Sequence, residues 1–309
     1  MIQTPMDVLS QFPVRKSKKQ KAAFRESIQS YAEQLGYACA VEKGSFGSKN
    51  IVMGDPEKAR YLVTAHYDTC AHMPFPNFIT PCNFLVYLGY QLFVTAVMFL
   101  IPVLIGFAVH YAGYGFEVAY LVGYFSLLLF LFLMIAGPAN RNNANDNTSG
   151  VVTLLEIMKT LPENQRDKVC FVLFDLEEAG LVGSASYRKR HKEPSKTQLV
   201  LNLDCVGDGD EIYFFPSKKL RKNEEMLSLL RKCAGNFGEK NITIKEIGFS
   251  VYPSDQNNFP YGVGICALRQ GKFWLYMDKI HTNRDTVLEI TNVNLLCTAL
   301  VSMISCDAL

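Results

Sequence analysis

The sequence predicts an α/β fold, with a mostly parallel central sheet flanked by helices and an inserted two-helix transmembrane hairpin. The sheet and its helices are predicted because short apolar runs of strand length alternate with segments that repeat apolar residues at helical spacing. Such alternation is typical of parallel sheets. The insert is predicted because residues 61–140 contain no lysine or arginine, in a chain that is 49% hydrophobic and 19% charged.

The predicted elements of the soluble part follow in chain order. Helices are predicted over residues 17–36, 151–161, 224–236 and 292–305, and strands over residues 60–65, 169–174, 199–203, 242–247 and 262–268. The second and third of these strands are largely apolar, as expected of strands that are buried on both faces. We therefore expect one discontinuous domain of residues 1–77 and 137–309, which an insert of residues 78–136 interrupts.

The insert is predicted to cross a membrane twice. Residues 84–108 and 118–136 are uncharged, and as helices they would be about 37 and 28 Å long, against a bilayer core about 30 Å thick. The connecting residues contain no lysine or arginine, whereas both flanks are rich in them, which predicts that the flanks face the cytoplasm. We therefore expect a multi-pass membrane protein that meets the lipid bilayer through residues 84–136. Two buried core helices of a soluble protein are the alternative.

Charge and cysteine content argue against two classes of protein. The net charge of +2 gives no reason to expect a nucleic-acid partner. The nine cysteines include no C-x-x-C pair, which favours reduced core thiols over a disulfide framework. One basic cluster is interpreted as a solvated helix face, with contact to anionic lipid headgroups as the alternative. It consists of Arg15, Lys16, Lys18, Lys19, Lys21 and Arg25.

Three predicted strands end in ionisable residues. The first runs into His66 and Asp68, the second into Glu177 and Glu178, and the third into Asp204. Because the carboxyl ends of parallel strands meet at one edge of a sheet, these side chains are expected to converge on one site. Converging carboxylates repel one another, and a pair of divalent metal ions would offset that cost. Imidazole and carboxylate ligands suit zinc.

Five segments closely resemble, in order, the five characteristic blocks of the M28 family of co-catalytic zinc peptidases. They are residues 66–68 (HYD), 145–150 (NDNTSG), 175–184 (DLEEAGLVGS), 202–207 (NLDCVG) and 280–286 (IHTNRDT). The resemblance covers about residues 17–305 apart from the insert, and it implies a zinc-peptidase fold. It also implies a dizinc metallopeptidase, and most simply an aminopeptidase that hydrolyses N-terminal residues of short peptides. Together with the predicted hairpin, it predicts a membrane-anchored enzyme.

The resemblance implies a role for each matching residue. Asp146 would bridge two Zn²⁺ ions, although other divalent metals could serve. One ion would be held by His66, Asp146 and Asp204, and the other by Asp146, Glu178 and His281. Asp68 would accept the other imidazole N–H of His66 and so fix its orientation. Glu177 would be the general base that takes a proton from the metal-activated water.

One segment departs from the family pattern. Residues 254–259 (SDQNNF) look like the S-D-H-x-x-F block of the family, but Gln256 replaces its histidine. The residues predicted to border the substrate are Tyr252, Ser254, Asp255 and Gln256, with Tyr252 as an oxyanion donor. We therefore expect an unusual substrate preference or pH dependence rather than a loss of metal binding.

Two other functions are compatible with these motifs. A glutaminyl-peptide cyclotransferase shares this fold and much of the zinc site with one metal, but the complete two-metal ligand set argues against it. A catalytically silent membrane protein that binds or scaffolds partners would not need Glu177 as a general base. Neither the oligomeric state nor the choice between exo- and endopeptidase action follows from the sequence.

Overall fold

The computed structural model describes residues 2–73, 75 and 77–307, so residues 1, 74, 76, 308 and 309 of the predicted domain ranges lie outside the described residues. The helices are α1 (Asp7–Gln11), α2 (Lys18–Gln34), α3 (Phe84–Tyr111), α4 (Phe116–Ala136), α5 (Gly150–Thr160), α6 (Val182–Arg190), α7 (Glu224–Arg231) and α8 (Ile290–Ser305). The strands are β1 (Cys39–Lys43), β2 (Lys49–Met53), β3 (Tyr61–His66), β4 (Val169–Phe174), β5 (Leu199–Leu203), β6 (Glu211–Pro216), β7 (Gly235–Phe237), β8 (Lys240–Ile244), β9 (Gly262–Gln270) and β10 (Leu275–Tyr276).

The strands form one mixed sheet in the order β1-β2-β4-β3-β5-β9-β6-β8-β7, with β10 paired to β9. Its centre is parallel, because β4, β3, β5 and β9 run in the same direction. Antiparallel neighbours extend this centre on both sides, with β2 next to β4 and β6 next to β9. The predicted α/β fold class is confirmed, and the parallel arrangement belongs to the strands whose ends build the site.

Both faces of the central sheet are covered. Every residue of β3 and β4 is buried, and successive residues enter different apolar clusters. Val63 packs with residues of α2, α5 and α8, whereas Leu62 packs on the other face with Tyr187 of α6. This double burial explains why these strands are continuous apolar runs rather than alternating ones.

Two predicted elements have different limits in the structure. The helix predicted to reach residue 236 ends at Arg231, and the strand predicted over residues 242–247 is Lys240–Ile244. A short antiparallel hairpin of β7 and β8 occupies the intervening segment. Its turn contains Gly238 at φ +76, a left-handed conformation that glycine adopts without the steric cost of a Cβ. The predicted helix was therefore too long, because residues 235 and 236 of its predicted range belong to β7.

The two apolar helices α3 and α4 pack against each other along small residues. A Cβ on Gly106 would lie 3.1 Å from the Ala119 carbonyl oxygen, and a Cβ on Gly123 would lie 3.0 Å from that of Pro102. Both helices are long and apolar enough to cross a membrane, and only 11% and 6% of their most apolar segments are buried. The alternative of two buried core helices is therefore wrong, because their apolar side chains face outward.

The hairpin joins the domain at the carboxyl-terminal edge of β3. Ala71 forms an antiparallel bridge with Ala139, and the His72 N–H donates to the Pro138 carbonyl at 2.8 Å. The Nζ of Lys16 donates to the carbonyl of Ile135 in the last turn of α4 at 2.7 Å. The chain therefore returns from the insert at the same edge to which β3 delivers His66.

Candidate metal centre

The structure brings all five predicted metal ligands together at the carboxyl-terminal edge of the sheet. His66 ends β3, Asp204 follows β5, and Glu178 lies in the turn after β4. Asp146 lies in an irregular turn before α5, and His281 lies beyond β10. Parallel strands explain the convergence of the first three, since their carboxyl ends share one edge.

Asp146 lies between the two histidines. Its Oδ1 is 3.2 Å from Nε2 of His66 and its Oδ2 is 3.0 Å from Nε2 of His281. The two carboxylate oxygens therefore face different imidazoles, which is the arrangement that a bridging ligand requires.

Each histidine faces one further carboxylate. Nε2 of His66 is 3.6 Å from Oδ1 of Asp204, and the donor atoms of His66, Asp146 and Asp204 lie within 4.8 Å of one another. Nε2 of His281 is 3.3 Å from Oε2 of Glu178. His66, Asp146 and Asp204 therefore form one candidate metal-binding group, and His281 contacts both Asp146 and Glu178.

Asp68 holds both His66 and the loop that carries the two glutamates. The Nδ1–H of His66 can donate to the Asp68 backbone carbonyl at 3.1 Å, while the Asp68 carboxylate is 3.6 Å away. That carboxylate instead accepts the backbone N–H groups of Glu177 at 3.1 Å and Glu178 at 3.3 Å. Asp68 therefore orients the imidazole through its main chain and positions the glutamates through its side chain.

The charges of the cluster fit a divalent cation. Burial, and next the Glu178 carboxylate, raise the pKa of Glu177 well above its ordinary value although His66 opposes the shift. Burial also raises the pKa of Glu178 to about 7, with Asp146 adding to the shift and His281 opposing it. These carboxyls resist ionisation because the site concentrates buried negative charge, which a cation would offset.

One buried atom of the cluster also supports a metal. Oε1 of Glu178 is buried without a hydrogen-bond partner within the described residues. Buried polar atoms usually have partners, and a carboxylate bound to a cation would not need one at each oxygen. The donor set of imidazole and carboxylate is one that zinc accepts.

Three residues near the cluster had no assigned role in the sequence. Asp285 is buried and accepts the N–H groups of Asn145 at 2.7 Å and Asp146 at 3.0 Å, so it holds the main chain of the central ligand. Burial and the nearby Asp146 raise the pKa of Asp285 to about 8. The thiol of Cys70 lies within 4.8 Å of the donor atoms of Glu178 and His281. The sequence signal that could have identified Asp285 was its position in the same motif as His281, residues 280–286.

The third is Arg15, which the sequence places in a basic cluster. Its side chain is fully buried, and it donates from Nε to the Tyr67 carbonyl at 2.5 Å and from Nη1 to Thr148 Oγ1 at 3.1 Å. Lys21 and Arg25 of the same cluster are also buried and bond to Asp175 and to the Tyr67 hydroxyl. Half of the cluster is therefore internal, and neither a solvated helix face nor contact with lipid headgroups describes these three residues.

The four predicted substrate residues are buried and hydrogen-bonded. The Tyr252 hydroxyl donates to the Asp204 carbonyl at 2.9 Å, and Asp255 accepts from Ser184 Oγ at 2.5 Å. Gln256 and Ser254 each accept from Nδ2 of Asn202 at 3.0 Å. In this arrangement the residues brace the end of β5 that carries Asp204. Beside them, Tyr252 and Gln256 line a cavity of about 240 Å³ that none of the five ligands lines.

Comparison with known proteins gives the family. Residues 132–301 match the model of peptidase family M28, a span that includes every predicted ligand except His66. Aminopeptidase YwaD of Bacillus subtilis (strain 168) is 40% identical over 67 residues, which are 21% of this chain and 15% of that protein. The chain spans less than half the length of the curated relatives it matches.

Solved structures show the same fold. The LapA aminopeptidase of Legionella pneumophila has a TM-score of 0.57 at 15% identity, over 99% of this chain and 70% of that one. A glutaminyl cyclase of Bacteroides thetaiotaomicron also has a TM-score of 0.57, at 16% identity, over 96% of this chain and 94% of that one. The chain shares with them a mixed α/β sheet, and it places two imidazoles and several carboxylates at the strand ends. With the match over more than half of its length, the chain belongs to peptidase family M28.

Proposed function

We propose that this protein is a membrane-anchored dizinc aminopeptidase. The observation that carries the proposal is the placement of Asp146, whose two carboxylate oxygens face His66 and His281 separately at 3.2 and 3.0 Å. The two imidazoles also face different further carboxylates, Asp204 and Glu178, which favours two ions over one. Membership of the M28 family and the likeness to aminopeptidase YwaD over a short segment support the choice of reaction.

In the proposed site, one zinc ion would be held by His66, Asp146 and Asp204, and the other by Asp146, Glu178 and His281. When bound, zinc supplies Lewis-acid polarisation of the scissile carbonyl and lowers the pKa of the attacking water. Asp285 and Asp68 keep these ligands in place through the main chain.

Glu177 moves the proton in this proposal. Its carboxylate accepts a proton from the attacking water and returns it to the nitrogen of the leaving amine. Its location supports the role, because a donor atom of Glu177 lies within 4.8 Å of donor atoms of both His66 and Glu178. The raised pKa of its carboxyl, caused by burial and next by Glu178, favours holding that proton between the two steps.

Metal analysis of the detergent-purified protein tests the dizinc assignment. We expect two zinc equivalents per chain and release of N-terminal residues from a peptide library, read by mass spectrometry. One equivalent that persists in excess zinc, together with cyclisation of N-terminal glutamine, would instead support a glutaminyl cyclase. Cleavage within peptides would refute the aminopeptidase assignment and leave the metallopeptidase assignment intact.

We propose further that residues 1–77 and 137–309 form one catalytic domain on the cytoplasmic side, anchored by the insert of residues 78–136. The outward-facing apolar side chains of α3 and α4 support the anchor, and the lack of lysine and arginine between the helices supports the orientation. Alkaline carbonate washing should leave the protein in the membrane fraction. Release into the supernatant would contradict a spanning hairpin, and protease protection of the domain in inside-out vesicles would contradict the orientation.

A further inference from the structure

The turn between β9 and β10 carries an exposed phenylalanine and a half-buried tryptophan that the proposed reaction does not use. It comprises residues 271–274. Phe273 is 73% exposed, and its ring centroid lies 5.8 Å from that of the neighbouring Trp274. The ammonium group of Lys272 lies 5.3 Å from the centroid of the Phe273 ring. An exposed phenylalanine beside tryptophan and lysine is a combination that suits a membrane surface.

This turn projects from the edge of the sheet at which the hairpin joins the domain. β9 runs parallel to β5, and β5 runs parallel to β3, so the three strands end at one edge. Beyond β3, Ala71 bridges to Ala139 just after α4. The turn that follows β9 therefore extends in the direction in which the hairpin leaves.

The packing of the two helices fixes where the proposed membrane begins. Gly123 of α4 packs at the Pro102 carbonyl of α3. Because the two helices run in opposite directions, Gly89 and Ala136 each lie thirteen residues from this contact on the side of the domain, and so Gly89 is level with the last residue of α4. The boundary of the apolar hairpin is therefore near Gly89. A polar headgroup layer of about 5–8 Å lies outside the hydrocarbon core at this level.

An aromatic chain connects this boundary with the turn. The ring of Tyr90, one residue beyond Gly89, lies 5.5 Å from the ring of Phe78, and Phe78 lies 5.7 Å from the ring of Tyr276. Tyr276 belongs to β10, directly after the turn. Two ring contacts therefore link the boundary of the hairpin to β10, the strand that directly follows Phe273 and Trp274.

Positively charged residues lie at the same level, beside the end of α4. Lys16 donates to the carbonyl of Ile135 at the end of α4 at 2.7 Å, and Lys18 and Lys19 are exposed at the start of α2. Lys16 thus contacts the base of the hairpin, Lys18 and Lys19 follow it closely in the chain, and Lys272 adds a cation in the turn of residues 271–274. Cations at this position complement the anionic headgroups of a cytoplasmic leaflet.

We propose that the turn of residues 271–274 is a second membrane contact, which places Phe273 and Trp274 in the headgroup layer of the bilayer and Lys272 against anionic headgroups. This inference rests on the proposed membrane anchor and adds to it a fixed orientation of the domain. A hairpin alone would let the domain swing, whereas a second contact on another element holds the metal-site edge toward the bilayer. Peptides would then reach the site along the membrane surface.

The only tryptophan of the chain reports on this contact without any substitution, because Trp274 is unique. The full-length protein would be reconstituted in phosphatidylcholine and phosphatidylserine vesicles, with lipids brominated either near the headgroup end of the acyl chain or not at all. We expect the brominated lipid to remove most of the Trp274 emission, and acrylamide in the water to quench it weakly.

Two single-tryptophan variants in a Trp274→Phe background calibrate the measurement. Gln34→Trp places the probe at the exposed end of α2, which is about 24 Å along the helix from Lys18, and should be insensitive to brominated lipid. Leu100→Trp places it on an exposed position in the middle of α3, and should be quenched if the hairpin lies in the bilayer.

The variants separate failure of this inference from failure of the anchor. Quenching at position 100 without quenching of Trp274 would overturn the second contact and leave the anchor. Absence of quenching at both positions would overturn both proposals. Quenching of Trp274 to the same small extent as the probe at position 34 would also overturn the second contact.

Discussion

Replacing Glu177 by glutamine is expected to abolish turnover while the fold and the metal content persist. The contact that Asp68 makes with residue 177 goes to the backbone N–H, so the substitution leaves it in place. Glutamine has the same size as glutamate but cannot accept the proton of the attacking water. The adjacent Glu178→Gln is the matched control, because the same chemical change there removes a proposed metal ligand instead of the base.

The magnitude follows from the role. A positioned acid or base contributes about 10²- to 10⁴-fold to rate, or about 3–5 kcal/mol of activation free energy. Stability should not fall in parallel. In the metal-free protein, burial and neighbouring carboxylates raise the pKa of Glu177, so a neutral amide is at least as well tolerated there as an ionised carboxylate. The thermal unfolding midpoint of metal-free Glu177→Gln should therefore equal or exceed that of the metal-free unmodified protein.

Three measurements decide the outcome: turnover of aminoacyl-naphthylamide substrates, zinc per chain, and the unfolding midpoint. Glu177→Gln should lose only the first, whereas Glu178→Gln should also lose zinc. Unchanged turnover in a fully loaded Glu177→Gln protein would refute the proposed general base. If both variants retained two zinc equivalents, the assignment of Glu178 as a ligand would be refuted.

Three further substitutions test the surroundings of the site and the core. Asp285→Asn should weaken zinc binding about 10- to 100-fold in equilibrium dialysis, because the residue holds the main chain of the bridging ligand; unchanged affinity would argue against that role. Tyr252→Phe should lower turnover less than tenfold, since the hydroxyl already donates to the Asp204 carbonyl, whereas a loss of about 10²-fold or more would indicate an oxyanion donor. Burial raises the pKa of the Cys233 thiol to about 12 from an ordinary value of 9.0. The contribution of the neutral thiol to the free energy of unfolding is therefore complete below pH 9 and is lost as the pH rises toward 12. Cys233→Ala should therefore reduce the alkaline loss of unfolding free energy by at most about 4 kcal/mol in urea titrations in detergent, and an identical pH dependence would contradict this.

The ligands were predictable because their signals are local. His66 and Asp204 directly follow apolar runs that could only be buried strands, and Glu178 lies in a motif of contiguous residues. The edge strands were harder to find. β1 alternates half-buried and exposed residues over only five positions, Cys39–Lys43, and its pairing with β2 depends on a turn rather than on a long apolar run. The structure therefore adds antiparallel edges to a correctly predicted parallel centre.

Long-range partners were not predictable from residue type. Arg15 stands in a basic segment that resembles a solvated surface, yet it is fully buried at the loop that follows His66. Its charge and spacing are those of Lys18 and Lys19, which are exposed. The difference arises only because Arg15 has hydrogen-bond partners from distant parts of the chain. They are the Tyr67 carbonyl, which directly follows β3, and Thr148, which lies in the turn before α5. Asp285 is a similar case, since its partners are 139 and 140 residues away in the chain.

The same long-range contacts link the hairpin to the metal centre. The adjacent residues Arg15 and Lys16 form hydrogen bonds with different parts of the molecule. Arg15 bonds to the segments next to His66 and Asp146, whereas Lys16 bonds to the end of α4 at Ile135. An anchor that only tethered the domain would need no contact beyond its two chain connections. Here the hairpin is inserted between His66 and Asp146, and the buried Arg15, next to Lys16, bonds to the loops that carry or follow both residues. The attachment of the hairpin and the geometry of the candidate site therefore share adjacent contacts.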